Sequence, residues 1–347
     1  MPRTSWSHRA MAVAVSLAAV AAPAGCAIGA PEAGTEPADG CAALEGQTIT
    51  LVAPASPGGG FDTLARVIAE PLGGELGAQV IVENRPGAGG LLAVNRLVNA
   101  PADGTQLALM SGTGAAASVL GGAEGADFAL RDLSYIGRVA QEDTLLVTSP
   151  QGGTWSDALA SDDFRFGSTG PGGTDYATAT LLIEAFQLRG RIVTGFPGQS
   201  EAMLALLQGN IDGLIGTADD RRSPIESGEV VPILSITPER ADVAPDAPAI
   251  GELDLRPEQR SLLDALLTLN ELGRPLVGPA GIEPGTLECL RTAFAAVAQD
   301  PAVVARAADQ RRRIGYASGQ ELDAVIGRIE ALPPEFVGIL REALGRS

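Results

Sequence analysis

Twice along this chain a run of apolar residues ends in a cluster of glycines and resumes as a helix. The first passage is TITLVAPASPGGGFDTLAR (48–66) and the second is FRFGSTGPGGTDYATATLLIEAF (164–186). In the first, Phe61, Leu64, Ala65, Ile68 and Leu72 follow the glycines at helical spacing, and QVIVE (79–83) returns as a strand. A strand, a glycine turn, a helix and a second strand make a βαβ unit, which commits a chain to an α/β sheet with parallel pairing. The pattern continues. GTQLALM (104–110), TLLVTS (144–149), RIVTG (191–195), IDGLIG (211–216) and VVPILSIT (230–237) read as strands. Helices fit at about 176–187, 199–208, 257–268, 284–299, 301–311 and 318–331. Val-, Ile- and Leu-rich strands interleaved with helices indicate open α/β sheets rather than a sandwich, and no solenoid repeat or heptad pattern competes. About 300 residues follow the N-terminal region, room for two domains.

That N-terminal region reads as processing signal. Arg3, His8 and Arg9 are followed by an apolar stretch, Ala10 to Ala24, shorter than the roughly 20 residues that span a bilayer. Residues 1–25 form the expected signal peptide, and PAGC (23–26) reads as a lipoprotein cleavage site with Cys26 as the lipidated residue. Ordinary cleavage near Ala22–Ala24 is the alternative. Residues 26–46, rich in Ala, Gly, Pro and acids, read as a flexible tether, with folding expected from about Gln47.

Composition removes whole classes of chemistry. Loss of residues 1–25 takes two arginines and no acid, moving the net charge from −18 to −20. So acidic a chain argues against nucleic acid or an anionic membrane surface as partner. All 24 basic residues are arginine, and the one histidine, His8, lies in the signal. A mature chain without His or Lys excludes Ser-His-Asp and Cys-His catalysis, Schiff-base chemistry, a Walker lysine and histidine-ligated metal. No cofactor or metal is implied, and no enzyme is expected. Of three cysteines, Cys41 and Cys289 remain if Cys26 is acylated, and they either pair or stay as free thiols.

The glycine loops stand at the carboxyl ends of strands, where open α/β sheets bind ligands. Helix N-termini carry unsatisfied amides and a partial positive charge, and so attract anions. Neither G-x-G-x-x-G nor G-K-[ST] is present. This favours a carboxylate at Gly58, Gly59 and Gly60 over a nucleotide phosphate, with Phe61 over the ligand and Asp62 capping the helix. A tight turn chosen for packing is the competing local reading. In the second loop Ser168, Thr169, Gly170, Gly172 and Gly173 offer hydroxyls and amides, with Thr174 or Asp175 as N-cap. Two such loops in two halves suggest one ligand clasped between two lobes. A third turn, VENRPGAGGLLA (82–93), places Arg85 in a structural salt bridge or on an anion, the former favoured. Asp219 and Asp220 are read as a ligand-ammonium site or, more plainly, a solvated loop, and Arg311–Arg313 as an exposed helix face.

From Pro54 to Gly90 the chain resembles the tripartite tricarboxylate transporter substrate receptors, the Bug or TctC-type solute-binding proteins. Pro54, Pro57, Gly58, Gly59, Asp62, Arg66, Val82, Asn84, Gly87, Ala88, Gly89 and Gly90 fill that family's opening pattern. Pro101, Asp103 and Gly104, the Gly167–Gly172 loop, QGNID (208–212), ESGEV (226–230), Arg240, Pro248 with Glu252, and GPAGIEP (278–284) continue it in order, over about 47–345. Departures stand at Gly173, Tyr176, Phe196 and Ala249, mostly in the second lobe, which the resemblance implies sets ligand choice.

The resemblance implies a type II periplasmic-binding-protein fold: two open α/β lobes joined by a hinge, with the ligand cleft between them. Lobe 1 is expected at 47–145 and 269–347, lobe 2 at 146–268. Ligand contacts are expected at Gly58, Gly59, Gly60, Phe61, Ser111, Thr113, Ser168, Thr169, Gly172, Thr174, Phe196 and Asp219. The implied ligand is a small carboxylate: a di- or tricarboxylate, an acidic amino acid or an aromatic acid. The implied role is an exported receptor, tethered to the membrane by its lipid, that delivers the ligand to a permease of large and small TctA/TctB-like subunits. Presentation of the ligand to a membrane sensor kinase is the alternative. A hydrolase acting through Asp62 or Asp219 is the weakest reading.

Overall fold

The computed structural model describes residues 41–344, so the signal, Cys26 and most of the expected tether lie outside the described residues. The fold begins before Gln47. Cys41 is bonded to Cys289 across a sequence separation of 248, Leu44 is fully buried, and the Gly46 N–H donates to the Gly77 carbonyl at 2.8 Å. The tether therefore does not extend through residues 41–46.

The first half runs β1 (Thr48–Ala53), α1 (Gly60–Leu76), β2 (Gln79–Asn84), α2 (Leu91–Leu97), β3 (Gln106–Leu109), α3 (Gly112–Gly121) and β4 (Leu133–Ala140). The second runs β5 (Thr144–Thr148), α4 (Trp155–Ala160), β6 (Phe164–Gly167), α5 (Thr174–Phe186), β7 (Gly190–Val193), α6 (Gln199–Leu207), β8 (Gly213–Thr217), α7 (Ala218–Glu226) and β9 (Val231–Ile236). The chain then returns through α8 (Pro257–Asn270), β10 (Arg274–Pro279), α9 (Pro284–Gln299), α10 (Pro301–Asp309), β11 (Ala317–Ser318), α11 (Gly319–Glu330) and α12 (Pro334–Leu344).

Among the described residues these strands form two sheets, ordered β11-β4-β10-β3-β1-β2 and β7-β6-β8-β5-β9. Both are mixed rather than parallel. β1 pairs in parallel with β2 and β3, and β6 with β7 and β8. β10 is antiparallel to β3 and β4, and β5 to β8 and β9. The passage from the first sheet to the second falls at 141–143, because β5 already pairs from Thr144. The expected lobe boundary after 145 therefore cuts into a strand of the second sheet. Three strands, β4, β10 and the two-residue β11, carry no clear sequence signal. β10 (RPLVGP) contains Pro275, which has no N–H for a ladder, and its register against β4 shifts there.

α1 buries Leu64, Val67, Ile68, Leu72 and Leu76 on one face. Pro71 in its interior cannot bond back to the Val67 carbonyl, and the Arg306 side chain donates to that carbonyl instead. One core lies between the first sheet and α1, α9 and α10, and a smaller one covers part of the second sheet beside α6. The largest core is shared. Ala108 of β3, Phe166 of β6, Ala116 of α3, Leu181 of α5, Leu266 of α8 and Leu340 of α12 belong to one continuous cluster. α3 is made of small residues there, and a Cβ on Gly114 would stand 2.1 Å from the Gly172 carbonyl oxygen. No helix among the described residues is long and apolar enough to cross a membrane.

Candidate functional site

The strand ends and helix starts of both sheets converge on a cleft of about 340 Å³. The first sheet's side supplies Pro54, Phe61, the 86–89 turn, Ser111 and Arg274. The second supplies Thr169, Gly173–Asp175, Gly195–Gln199, Ile215–Thr217 and Asp220, while Glu142 enters from the passage between the sheets. A smaller adjoining cavity of about 70 Å³ is bordered by Gly59, Gly60, Gly198, Ser200, Glu201 and Arg274.

The glycine triplet now has physical reasons. Gly58 has φ +82°, and its N–H donates to Asp62 Oδ2 at 2.8 Å. Asp62 therefore sits inside the first turn, reaching back, and Gly59 is the N-cap. Arg66 Nε donates to Asp62 Oδ1 at 2.9 Å. Burial raises the Asp62 pKa, but the bonds from Arg66, Gly58 and Asn84 outweigh it and leave it lowered. At Gly60 a Cβ would lie 2.6 Å from Arg274 Nη1 and 2.7 Å from Asp220 Oδ1. The groups that come close to this backbone are thus a buried ion pair of the protein itself.

Arg274 and Asp220 are the centre of that arrangement. Arg274 Nη2 donates to Asp220 Oδ2 at 3.1 Å, its Nε donates to Glu142 Oε1 at 3.3 Å, and its guanidinium lies 4.4 Å from the Phe61 ring centroid. Such a cation over an aromatic face is attractive. Asp220 also pairs with Arg312 at 2.5 Å and accepts from Thr217 Oγ1 at 2.8 Å. Burial works to raise the Asp220 pKa, but Arg274, Arg312 and Arg221 overcome it and hold it far below the ordinary carboxylate range. Glu142 differs: burial pushes its carboxyl up, against Arg274 and the Thr174 hydroxyl, which donates to it at 2.5 Å. Arg221 is buried behind Gly216, donates to Gln199 and to the Ile215 carbonyl, and burial lowers its pKa to about 10.

The second glycine loop wraps a carboxylate of its own chain. Asp175 accepts from Ser168 Oγ (3.1 Å), Thr169 N–H (2.8 Å), Thr169 Oγ1 (3.1 Å), Tyr176 N–H (2.8 Å) and Gln199 Nε2 (2.8 Å). Burial raises its pKa, and these bonds oppose that. The N-cap of α5 is Gly173, not Thr174 or Asp175. The two glycine turns also touch each other: the Gly172 N–H donates to the Ala88 carbonyl at 3.1 Å.

Of the residues expected at the ligand, Phe61, Ser111, Thr169, Thr174 and Phe196 line the cleft, and Gly59 and Gly60 border the smaller cavity. Gly58 borders neither. Thr113 is fully buried and donates to Asn270 at 2.9 Å, Ser168 is fully buried against Asp175, and Gly172 packs on Ala88 and Leu91. Asp219 is turned away from the cleft and held by Arg313 at 2.8 Å; its neighbour Asp220 faces in. The Asp219–Asp220 stretch is thus the start of α7 rather than a solvated loop. Arg311–Arg313 are not an exposed helix face. They follow α10 and pair with Glu226, Asp220, Asp219 and Asp143. Arg85 pairs with Glu83 at 2.5 Å, the structural reading. Sequence reasoning missed Arg274, Glu142, Asp175 as a cleft residue, and Gln199. For Asp175 the available signal was an acid directly after a glycine loop; for Glu142, an acid between two apolar runs where the chain changes sheet.

Residues 64–329 match the family model described as the tripartite tricarboxylate transporter family receptor. A UPF0065 protein from the ttuE–ttuC' intergenic region of Agrobacterium vitis is 30% identical over 74% of this chain and 73% of its own. Among solved structures, MatC from Rhodopseudomonas palustris with bound malate superposes with a TM-score of 0.66 at 24% identity, covering 86% of this chain and 97% of that one. A second R. palustris protein with adipate gives 0.67 at 20% identity, covering 84% and 97%. The structural likeness extends to the two-lobe fold of periplasmic solute-binding proteins, and the described residues carry two sheets.

Proposed function

The chain belongs to the tripartite tricarboxylate transporter receptor family, and on that premise we propose that it captures a small carboxylate outside the cytoplasm and hands it to a two-component permease. The permease is of the type with large and small TctA/TctB-like subunits. Capture works by closure: contacts from both lobes to one ligand stabilise the closed arrangement relative to the open one. The observation that carries this reading is the cleft itself. It lies between the two sheets, at helix starts from both, with Arg274 from the first sheet reaching Asp220 of the second inside it. Malate and adipate in the two structural relatives support a carboxylate as the ligand class.

The lobes are taken as residues 41–140 with 274–344, and 144–236, with α8 bridging them. The Cys41–Cys289 bond fits an oxidising compartment. Lipidation at Cys26 is a further part of the proposal and rests on the sequence; a diacylglyceryl mass on the N-terminal peptide of membrane-extracted protein tests it. The receptor role is tested by deleting the gene and following uptake of labelled carboxylates at micromolar concentration. Loss of high-affinity uptake of one acid, restored by the gene, is the expected result. Unchanged uptake of every acid in the set contradicts the role.

A further inference from the structure

The three arginines that follow α10 border neither the cleft nor the smaller cavity, yet all three reach α7 of the second lobe. Arg311 faces Glu226 at 3.9 Å, Arg312 pairs with Asp220 at 2.5 Å, and Arg313 Nε donates to Asp219 Oδ1 at 2.8 Å. The Arg313 backbone N–H donates to Asp219 Oδ2, also at 2.8 Å. Arg313 Nη2 reaches Asp143, in the passage between the sheets, at 3.1 Å.

The run itself is fixed to the first lobe. Arg311 follows α10 in a left-handed conformation, φ +57°, which is uncommon for a residue with a side chain. Its N–H donates to the Ala308 carbonyl at 2.8 Å and that of Arg312 to the Ala307 carbonyl at 2.9 Å. Beyond the run, the Gly315 N–H donates to the Val139 carbonyl of β4 at 2.9 Å. On the facing side, α7 starts where β8 ends, capped by the Thr217 hydroxyl. Gly216, Thr217 and Asp220 at that junction form part of the cleft wall.

We propose that Arg311–Arg313 are positioning residues for ligand capture. They touch no ligand. By tying the start of α7, and with it one wall of the cleft, to the first lobe, they favour the closed arrangement before a ligand arrives. Opening the cleft carries α7 away from the run and breaks these pairs. A receptor binds more tightly the more often its binding-competent arrangement is populated, so the run raises affinity for every ligand by one common factor. The affinity part rests on the receptor role argued above; the effect on the shape of the ligand-free protein does not.

The test combines calorimetry with small-angle X-ray scattering on the full-length protein, stripped of carried-over ligand by unfolding and oxidative refolding. The probes are malate, adipate, citrate, glutamate and phenylacetate. Arg313→Ala removes a half-exposed side chain that lies outside the cleft. It is expected to enlarge the radius of gyration of the ligand-free protein. It is also expected to weaken every acid that the wild type binds by about threefold to fivefold, in an unchanged order of preference. Arg313→Lys, which keeps the charge, is expected to fall between the two proteins. The gap between wild type and Arg313→Ala is expected to narrow in about 0.5 M sodium chloride, where a half-exposed pair is screened. Identical ligand-free profiles overturn the proposal; so do affinities equal to wild type, or a loss confined to one acid. Binding of none of the probes by the wild type counts against the carboxylate receptor, and the ligand-free profiles then still decide the role of the arginines.

Discussion

Asp220 faces the cleft, yet its partners are arginines from two different stretches of the first lobe, Arg274 in β10 and Arg312 after α10. Removing one member of a buried ion cluster leaves the others uncompensated, so Asp220→Asn is expected to destabilise the protein by about 3 kcal/mol at neutral pH. The pH dependence follows from the depressed pKa. The carboxylate's contribution is complete above its ordinary value of 3.8 and disappears as pH falls toward the folded-state value. Denaturant titrations should therefore show the gap between wild type and Asp220→Asn shrinking below pH 4. A gap that stays constant from pH 7 to pH 2 contradicts the assignment. Glu142 and Asp175 act in the opposite sense, because their raised folded values make stability fall as pH rises past 4.5 and 3.8 respectively. They remain in both proteins, but the Asp220 charge helps raise Glu142, so the gap reads Asp220 together with its coupling to Glu142.

At the scale of elements, α3 packs against the second glycine loop. Its small residues let it lie close there, and Gly114 has no room for even a methyl group. In Gly114→Ala the new Cβ forces the loop back, an overpacking cost of about 1–3 kcal/mol. The same change favours the helix itself by about 1 kcal/mol. The expected outcome is ligand affinity reduced roughly tenfold with helix content unchanged by circular dichroism, and affinity equal to wild type would show that this contact is not formed in the bound state.

The same element marks the limit of sequence reading. Strands rich in Val, Ile and Leu, such as β1, β2 and β5, and helices with clear apolar spacing, such as α1 and α9, stand out locally. α3, in which seven of ten residues are Gly, Ala or Ser, shows no amphipathic face because all of it but Val119 and Leu120 is buried. β10 hides behind two prolines, and its role as the antiparallel partner of β3 and β4 depends on strands more than 130 residues earlier. Residues of both glycine loops border the cavities, but the carboxylates that approach them, Asp175 and Asp220, belong to the protein. For Asp220 that could not be read locally, since topology alone brings it and Arg274 to Gly60.

At the scale of the whole molecule, the Cys41–Cys289 bond ties the first folded residues to α9. Closing so long a loop restricts the unfolded chain, and its loss is expected to cost about 2–5 kcal/mol. Cys41→Ser should therefore melt roughly 4–10 °C lower than the oxidised wild type, and added reductant should bring the wild type down to match it. Equal melting temperatures would mean that the bond contributes nothing to the native state.

The central claim is that two lobes close around one ligand. α3, α5 and α8 meet in the large core shared by both sheets. Small-angle X-ray scattering tests that claim most directly, comparing ligand-stripped protein with the same sample saturated by an acid that calorimetry shows to bind. The account predicts a smaller radius of gyration with ligand and a saturated profile matching the arrangement described here. Identical profiles with and without saturating ligand would contradict capture by closure.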